Sequence, residues 1–250
     1  KSIKGSLEKE ITGVEHNSKN IKNGNLFIAQ KGFTHDGHKF IDGAIKNGGK
    51  IVFYQEDLDN YLEDILYIKL KDTRKSLAKI SAEIFNRPSK DFSLVGITGT
   101  NGKTTTTYML ENILNYNNMS TASIGTIGVK LNGRNLKTNH TTPESNELQK
   151  IFSQIRDEKI KVCVMEVSSH ALDLNRVDES EFDYGIFTNL SLEHMDFHEN
   201  MENYYQAKKK LFYMTKKSNL VNTDDKYGER LYRELKEDKK IVKSFGLNKD

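Results

Sequence analysis

Residues 96–107 read G-I-T-G-T-N-G-K-T-T-T-T. Gly96, Gly99 and Gly102 stand just ahead of Lys103 and a run of threonines. That set of residue types suits a phosphate. Glycine lets successive backbone amides turn toward phosphate oxygens with no Cβ in the way. A helix start adds a favourable dipole. Lys103 can reach β- and γ-phosphates, and the hydroxyl of Thr104 or Thr105 can bind Mg²⁺. The spacing departs from GxxxxGK[ST], because Ile97 stands five residues before Gly102 where that pattern has glycine. The context nevertheless fits: an apolar run, a glycine loop, Lys-Thr, then a helical stretch.

Further chemistry lies downstream. Glu166 sits at the end of the β-type run KVCVMEV (161–167). Ligands of an open α/β sheet bind outside the carboxyl ends of its strands, where a carboxylate can hold Mg²⁺ beside a triphosphate. A surface or capping acid is the bland alternative. His194 follows a second such run, YGIFTNL (184–190), with Asp196 and His198 close by. The stretches HTTPES (140–145) and EVSSHAL (166–172) put hydroxyls on loops, which suits a phosphorylated or sugar substrate. Ordinary turn and cap chemistry would use the same residue types.

These residues need a scaffold. NLFIAQ (25–30), IVFY (51–54) and ILYIKL (65–70) read as strands, and 40–48 as a short helix ending at Gly48-Gly49. Thr73 reads as the cap of a helix over 74–86, with Leu77, Ile80, Ile84 and Phe85 at helical spacing. Asn86-Arg87-Pro88-Ser89 breaks that helix, so the boundary expected is 1–88 followed by 89–250. Beyond it FSLVGIT (92–98), KVCVMEV, YGIFTNL and IVKSFGL (241–247) alternate with helical stretches at 104–116, after Ser-Ser-His, and at 201–216. Strands alternating with helices predict a mostly parallel, doubly wound α/β domain. The expected fold class is thus α/β, a small first domain followed by a P-loop domain.

Composition narrows the setting. A net charge of +3 over 250 residues is too small to argue for nucleic acid. The clusters Lys208-Lys209-Lys210, Lys216-Lys217 and Lys239-Lys240 read as solvated helix faces. The one cysteine, Cys163, cannot pair within the chain, which fits a reducing cytosol. No apolar run approaches the roughly 18 residues of a membrane span. The chain starts Lys-Ser-Ile rather than with Met, so a fragment is expected.

Taken together, GTNGKTTT (99–106), TTPES (141–145), MEVSSHAL (165–172), FTNLSLEHMDFH (187–198) and YYQAKKKLF (204–212) resemble the Mur ligase family, the amide ligases of peptidoglycan precursor synthesis. NSKNIKNGNLFIAQKGFTHDGHKFI (17–41) resembles that family's first, UDP-holding domain. The likeness is greatest to the branch that adds the third amino acid to UDP-N-acetylmuramoyl-L-alanyl-D-glutamate.

The resemblance implies an ADP-forming ligase working through an acyl phosphate in the bacterial cytoplasm, with ATP, Mg²⁺ and the UDP-muramoyl dipeptide as ligands. It implies a diamino acid as the incoming amine, a monomer, and no nucleic-acid or membrane partner. It assigns Gly99, Thr100, Asn101, Gly102, Lys103, Thr104 and Thr105 to ATP phosphates, with Lys103 on the γ-phosphate and Thr104 on Mg²⁺. Glu166 would share that metal and His194 would bind a second. Lys208 matches the lysine that the family carries as a CO₂-derived carbamate. His140, Thr141, Thr142, Ser168 and Arg176 would meet the UDP-muramoyl peptide, and Ser18, Phe33, Thr34 and His35 its uridine end.

There are departures. Asn17-Ser18-Lys19 stands where the family often has Asp-Ser-Arg, and Leu174 where a Gln is common. The end of the central domain and the family's third, amino-acid-binding domain are expected to be missing, so the chain alone should turn over poorly. A folylpolyglutamate-type ligase and a P-loop switch are the rival readings. TTPES, EVSSHAL and the domain ahead of the loop favour the muramyl branch.

Overall fold

The computed structural model describes residues 2–32 and 36–247. The chain divides into two compact units, Lys1–Arg87 and Pro88–Asp250. Asn86 and Arg87, at the junction, both hold left-handed backbone (φ 57° and 48°).

The first unit carries β1 (Ile3–Lys4), β2 (Gly13–Glu15), β3 (Asn25–Ile28), α1 (Ile41–Lys46), β4 (Ile51–Tyr54), β5 (Leu66–Lys69) and α2 (Thr73–Ile84). Among the described residues these strands form one sheet in the order β1-β5-β4-β3-β2, parallel except at β1. The period-two burial of a one-sided sheet is absent from β3, because helices cover both faces: Phe27 packs with Ile41 and Ala44 of α1, while Leu26 and Ile28 pack with Leu77 of α2. The expected helix over 40–48 is shorter and is preceded by a 3₁₀ turn, Gly37–Phe40, whose cap is Asp36. The expected cap Thr73 is the first helical residue. Asp72 does the capping, its carboxylate accepting from Lys75 N–H at 3.0 Å, because its extended backbone aims the side chain at the open first turn.

The second unit runs β6 (Ser93–Thr98), α3 (Lys103–Tyr116), β7 (Thr121–Gly125), β8 (Gly128–Leu131), β9 (Arg134–Leu136), α4 (Ser145–Asp157), β10 (Val162–Glu166), α5 (Ser169–Asp173), β11 (Tyr184–Phe187), α6 (Met195–His198), α7 (Met201–Met214), β12 (Ser218–Asn222), α8 (Lys226–Glu237) and β13 (Val242–Phe245). Its described strands make a second sheet ordered β13-β12-β11-β6-β10-β7-β8-β9. The pairs from β13 through β7 are parallel, and β7-β8-β9 is an antiparallel meander.

From β6 the chain crosses to β7, returns to fill the gap with β10, then crosses to β11 on the other side. The winding therefore reverses at β6, and the crevice outside its carboxyl end is where such sheets bind ligands. α4, α5, α7 and α8 bury Leu148, Phe152, Leu172, Tyr205, Phe212 and Leu231 on one face of the sheet. α3 covers the other through Leu110 and Leu114. Each fully buried aliphatic or aromatic side chain adds roughly 1.5–3 kcal/mol, which makes β6 a rigid mount for the loop that follows it.

Candidate active site

The turn after β6 is fixed by geometry that only glycine supplies. Gly99 has φ 152°, and a Cβ on it would lie 1.9 Å from Thr188 Oγ1. Gly102 caps α3 in the left-handed region, φ 84°. The loop is also fastened from outside, by the segment after β11. Asn189 Oδ1 accepts from Asn101 N–H at 3.0 Å, Thr188 Oγ1 donates to the Asn101 carbonyl at 2.7 Å, and Thr100 N–H donates to the Asn189 carbonyl at 2.9 Å. Thr100 Oγ1 accepts from Ser191 N–H and lies 3.3 Å from the Tyr204 hydroxyl.

Two lysines meet inside the loop. Lys103 Nζ donates to the carbonyls of Gly99 (2.9 Å) and Thr100 (2.8 Å). Lys208 Nζ donates to the same Gly99 carbonyl, also at 2.9 Å. Lys208 is only 2% exposed and lies 4.5 Å from the centroid of the Tyr204 ring. The solvated-face reading of Lys208 is therefore wrong. On α7, Tyr204, Lys208, Leu211 and Phe212 share the buried side, while Lys210 keeps to solvent and pairs with Asp173. Burial, and then the Lys103 charge, hold the Lys208 amine well below the usual lysine range, with Glu193 opposing. Burial lowers Lys103 too, against Glu166 and Glu193.

Glu166 ends β10 and is 1% exposed. Its carboxylate accepts from Thr104 Oγ1 (2.9 Å), Thr126 N–H (3.0 Å) and Thr126 Oγ1 (3.1 Å). Gly125 makes room for it, since a Cβ there would meet Glu166 Oε1 at 2.1 Å. The Glu166 carbonyl accepts from Thr142 Oγ1 at 2.9 Å, and Thr142 Oγ1 accepts from Ser168 N–H at 3.0 Å. Thr141 Oγ1 lies 3.1 Å from Thr126 Oγ1. Arg176 donates to the Thr142 carbonyl (3.2 Å) and pairs with Glu144 (2.8 Å). Ser168 caps α5, accepting from Ala171 N–H. Glu166 thus joins the first turn of α3, through its carboxylate, to Thr142, through its backbone carbonyl, while Thr126 bridges that carboxylate to Thr141.

Of the residues expected at a site, the structure links Lys103, Thr104, Glu166, Lys208, Thr141, Thr142, Ser168 and Arg176 by these contacts. Thr105 is exposed on α3, and His140 is exposed with its carbonyl accepting from Thr138 Oγ1. The contacts of His194 run elsewhere: Nε2 is 3.7 Å from Glu193, and its ring meets those of His170 (4.9 Å) and Tyr204 (5.9 Å). It adopts left-handed backbone, φ 59°, as cap of the one-turn helix α6. Ser18 belongs to the first unit, where its carbonyl accepts from Asn47 Nδ2 at 2.9 Å. Phe33, Thr34 and His35 lie outside the described residues.

Among the described residues no group of three or more His, Cys, Asp or Glu could hold a metal ion. The donors present still suit Mg²⁺, which is bound through one or two carboxylates plus substrate phosphates; here a hydroxyl and a carboxylate face each other at 2.9 Å beside the phosphate-type loop. Thr126, Thr188, Asn189 and Tyr204 were not singled out from sequence. The available signal was position: Thr188-Asn189 directly follows β11, whose register with β6 pairs Phe187 with Thr98.

Residues 97–250 match the Mur ligase middle domain, and residues 10–84 match the Mur ligase family catalytic domain. The chain belongs to the Mur ligase family. A UDP-N-acetylmuramoyl-L-alanyl-D-glutamate–2,6-diaminopimelate ligase of Alkaliphilus metalliredigens is 45% identical over 99% of this chain and 50% of its own length. The chain spans about half the length of the curated relatives it matches. A solved ligase of the same description superposes with a TM-score of 0.83 at 22% identity, over 96% of this chain and 49% of the other. The MurF ligase of Thermotoga maritima in complex with ADP superposes at 0.61 with 23% identity, over 95% of this chain and 51% of that one. The two-sheet, mostly parallel α/β architecture is that of the Mur ligase fold.

Proposed function

We propose that this chain forms the nucleotide- and UDP-substrate-binding part of a ligase that adds a diamino acid to UDP-N-acetylmuramoyl-L-alanyl-D-glutamate. One observation carries the reading. In a chain 45% identical to a diaminopimelate ligase, the phosphate-type loop and the loop of Thr141-Thr142 meet on one residue, Glu166, the first at its carboxylate and the second at its backbone carbonyl.

The residues divide the work as follows. Residues 99–105 cradle the ATP phosphates, and Lys103 leaves the loop carbonyls to meet the γ-phosphate. Thr104 and Glu166 would hold Mg²⁺, and His194, apart from them, would hold a second; bound magnesium would neutralise charge on the phosphates. His140, Thr141, Thr142, Ser168 and Arg176 position the muramoyl peptide, while residues 1–88, with Ser18 and the segment 33–35, hold the UDP end. The terminal carboxylate of the dipeptide attacks the γ-phosphorus, the bond to ADP breaks, and an acyl phosphate forms. The amine then attacks the acyl carbon, releasing phosphate and a proton and leaving an amide.

Lys208 has a distinct part. An ammonium is a poor metal partner, but the lowered pKa of Lys208 favours the free amine, which adds to CO₂ with loss of one proton to give a carbamate. The anion would sit beside the Lys103 cation. The setting we assign is a monomer in the bacterial cytoplasm. No helix among the described residues is long and apolar enough to cross a membrane.

A thermal-shift panel tests the reading, since a ligand that binds only the folded state raises apparent stability. UDP-N-acetylmuramoyl-L-alanyl-D-glutamate should stabilise the wild type and Lys103→Ala alike, and Mg-ATP only the wild type. Stabilisation by a folate and none by the UDP-dipeptide would overturn it.

A further inference from the structure

Beside the phosphate loop lies a second polar chain, buried except at its carboxylate end and with no part in the chemistry above. His198 is 3% exposed. Its Nε2 is 2.8 Å from Ser169 Oγ, and its Nδ1 is 3.2 Å from Asp173 Oδ2. Its ring stacks on Tyr204, with centroids 4.9 Å apart and planes inclined by 28°. A carboxylate at Nδ1 fixes the tautomer with the proton on that nitrogen, so Ser169 donates to Nε2. The order hydroxyl–imidazole–carboxylate matches that of a hydrolase triad, but Ser169 is itself buried, at 1% exposure, and no substrate carbonyl can reach it.

What the chain joins gives its purpose. Ser169 and Asp173 are the two ends of α5, whose cap Ser168 touches Thr142. His198 ends α6, a single turn flanked by non-glycine residues in left-handed backbone, His194 (φ 59°) and Glu199 (φ 65°). Such a turn persists only where its surroundings over-determine it. His198 N–H donates to the His194 carbonyl at 3.0 Å, so whatever holds His198 also sets His194. Through Tyr204 the stack continues to Thr100 of the phosphate loop.

We propose that the Ser169–His198–Asp173 chain, buried at its serine and histidine and half-buried at its carboxylate, is a positioning device that sets α5, with its substrate-loop contact, against the strained His194 turn, and that His198 is its central positioning residue. The inference rests on the ligase reading for what is positioned, but the device itself is testable without ligand.

The test is amide hydrogen exchange on the 250-residue protein. His198→Phe keeps the stack and removes both hydrogen bonds; Ser169→Ala removes one from the opposite end and guards against a misfolded first variant. Each should speed exchange of residues 194–199 by at least about tenfold, the scale of one lost buried hydrogen bond, while β6 and β10 are unchanged. The double variant should match His198→Phe, because that substitution already removes the Ser169 contact. Unchanged exchange at 194–199, equal loosening of β6 and β10, or a multiplicative double variant would overturn the proposal. As a second readout, His198→Phe should weaken UDP-N-acetylmuramoyl-L-alanyl-D-glutamate binding at least tenfold, and equal affinity would remove the device from the site. Failure of the wild type to bind that ligand would sink the ligase reading instead, with the exchange pattern still deciding the device.

Discussion

Lys103 and Lys208 converge on one acceptor, the Gly99 carbonyl oxygen, each with its Nζ at 2.9 Å. Two ammonium groups so close repel, and burial together with the Lys103 charge pushes the more deeply buried amine, that of Lys208, well below the usual lysine range. Lys208 therefore lowers the stability of the fold in return for a reactive amine.

Replacing that amine should separate stability from function. Lys208→Met is expected to raise unfolding stability by about 1–2 kcal/mol, the scale of an under-paired buried polar group. It should also remove the carbamate signal that ¹³C-bicarbonate NMR would show for the wild type. A less stable Met variant, or a carbamate signal that persists in it, would contradict the assignment.

Acid should weaken the fold before its carboxylates titrate. Burial first, then neighbouring cations, hold the imidazole of His170 below its ordinary value; burial does the same to His198, although Asp173 opposes. In the unfolded chain both take up protons near pH ~6.5. Between that pH and the lower folded values the unfolded state binds more protons, so stability rises with pH. Denaturant midpoints should be level above about pH 6.5 and fall as pH drops toward the folded values. His198→Phe should flatten part of that slope.

Gly99→Ala should be severe, because the new Cβ meets Thr188 Oγ1 and the backbone lies where L-residues are strained. A loss of about 2–4 kcal/mol and of nucleotide binding is expected. Thr188→Ala, which removes the clashing oxygen, should restore part of the stability in a double-mutant cycle. Strict additivity would mean that the two positions do not meet.

Glu166→Gln keeps an oxygen for the Thr126 amide but loses the charge that faces Thr104. Calorimetry should show ATP affinity with Mg²⁺ falling at least about tenfold, the scale of a lost charge-assisted contact. Affinity without Mg²⁺ should change little. Equal losses in both conditions would move the metal elsewhere.

The parts legible in sequence were those with one dominant cause. β4 was expected at the residues where it is found, β6 and β10 within one residue of each end, and β11 from the same start but three residues longer, because apolar runs bounded by turn residues have no other good home. The loop was legible because glycines before Lys-Thr have few other uses. Other elements were missed for physical reasons. β12 reads SNLVN, with polar ends and an exposed Leu220, so neither period shows. α4 carries Leu148, Ile151, Phe152 and Ile155 at helical spacing, a periodicity present in the sequence itself. Lys208 was misread because charge outweighed position: four residues after Tyr204 and three before Leu211, it falls on the apolar face of α7.

The fastening of the phosphate loop to residues 188–191 bears on inhibitor design. Asn189 grips Asn101 from both sides, with Oδ1 on its N–H and Nδ2 on its carbonyl at 3.2 Å. The cradle is thus a clasp whose pin, Asn189, stands outside the loop itself. A compound carrying a primary amide that competes for the Asn101 backbone would spring the clasp without imitating a phosphate. Resistance at Asn189 would damage the clasp it was meant to protect.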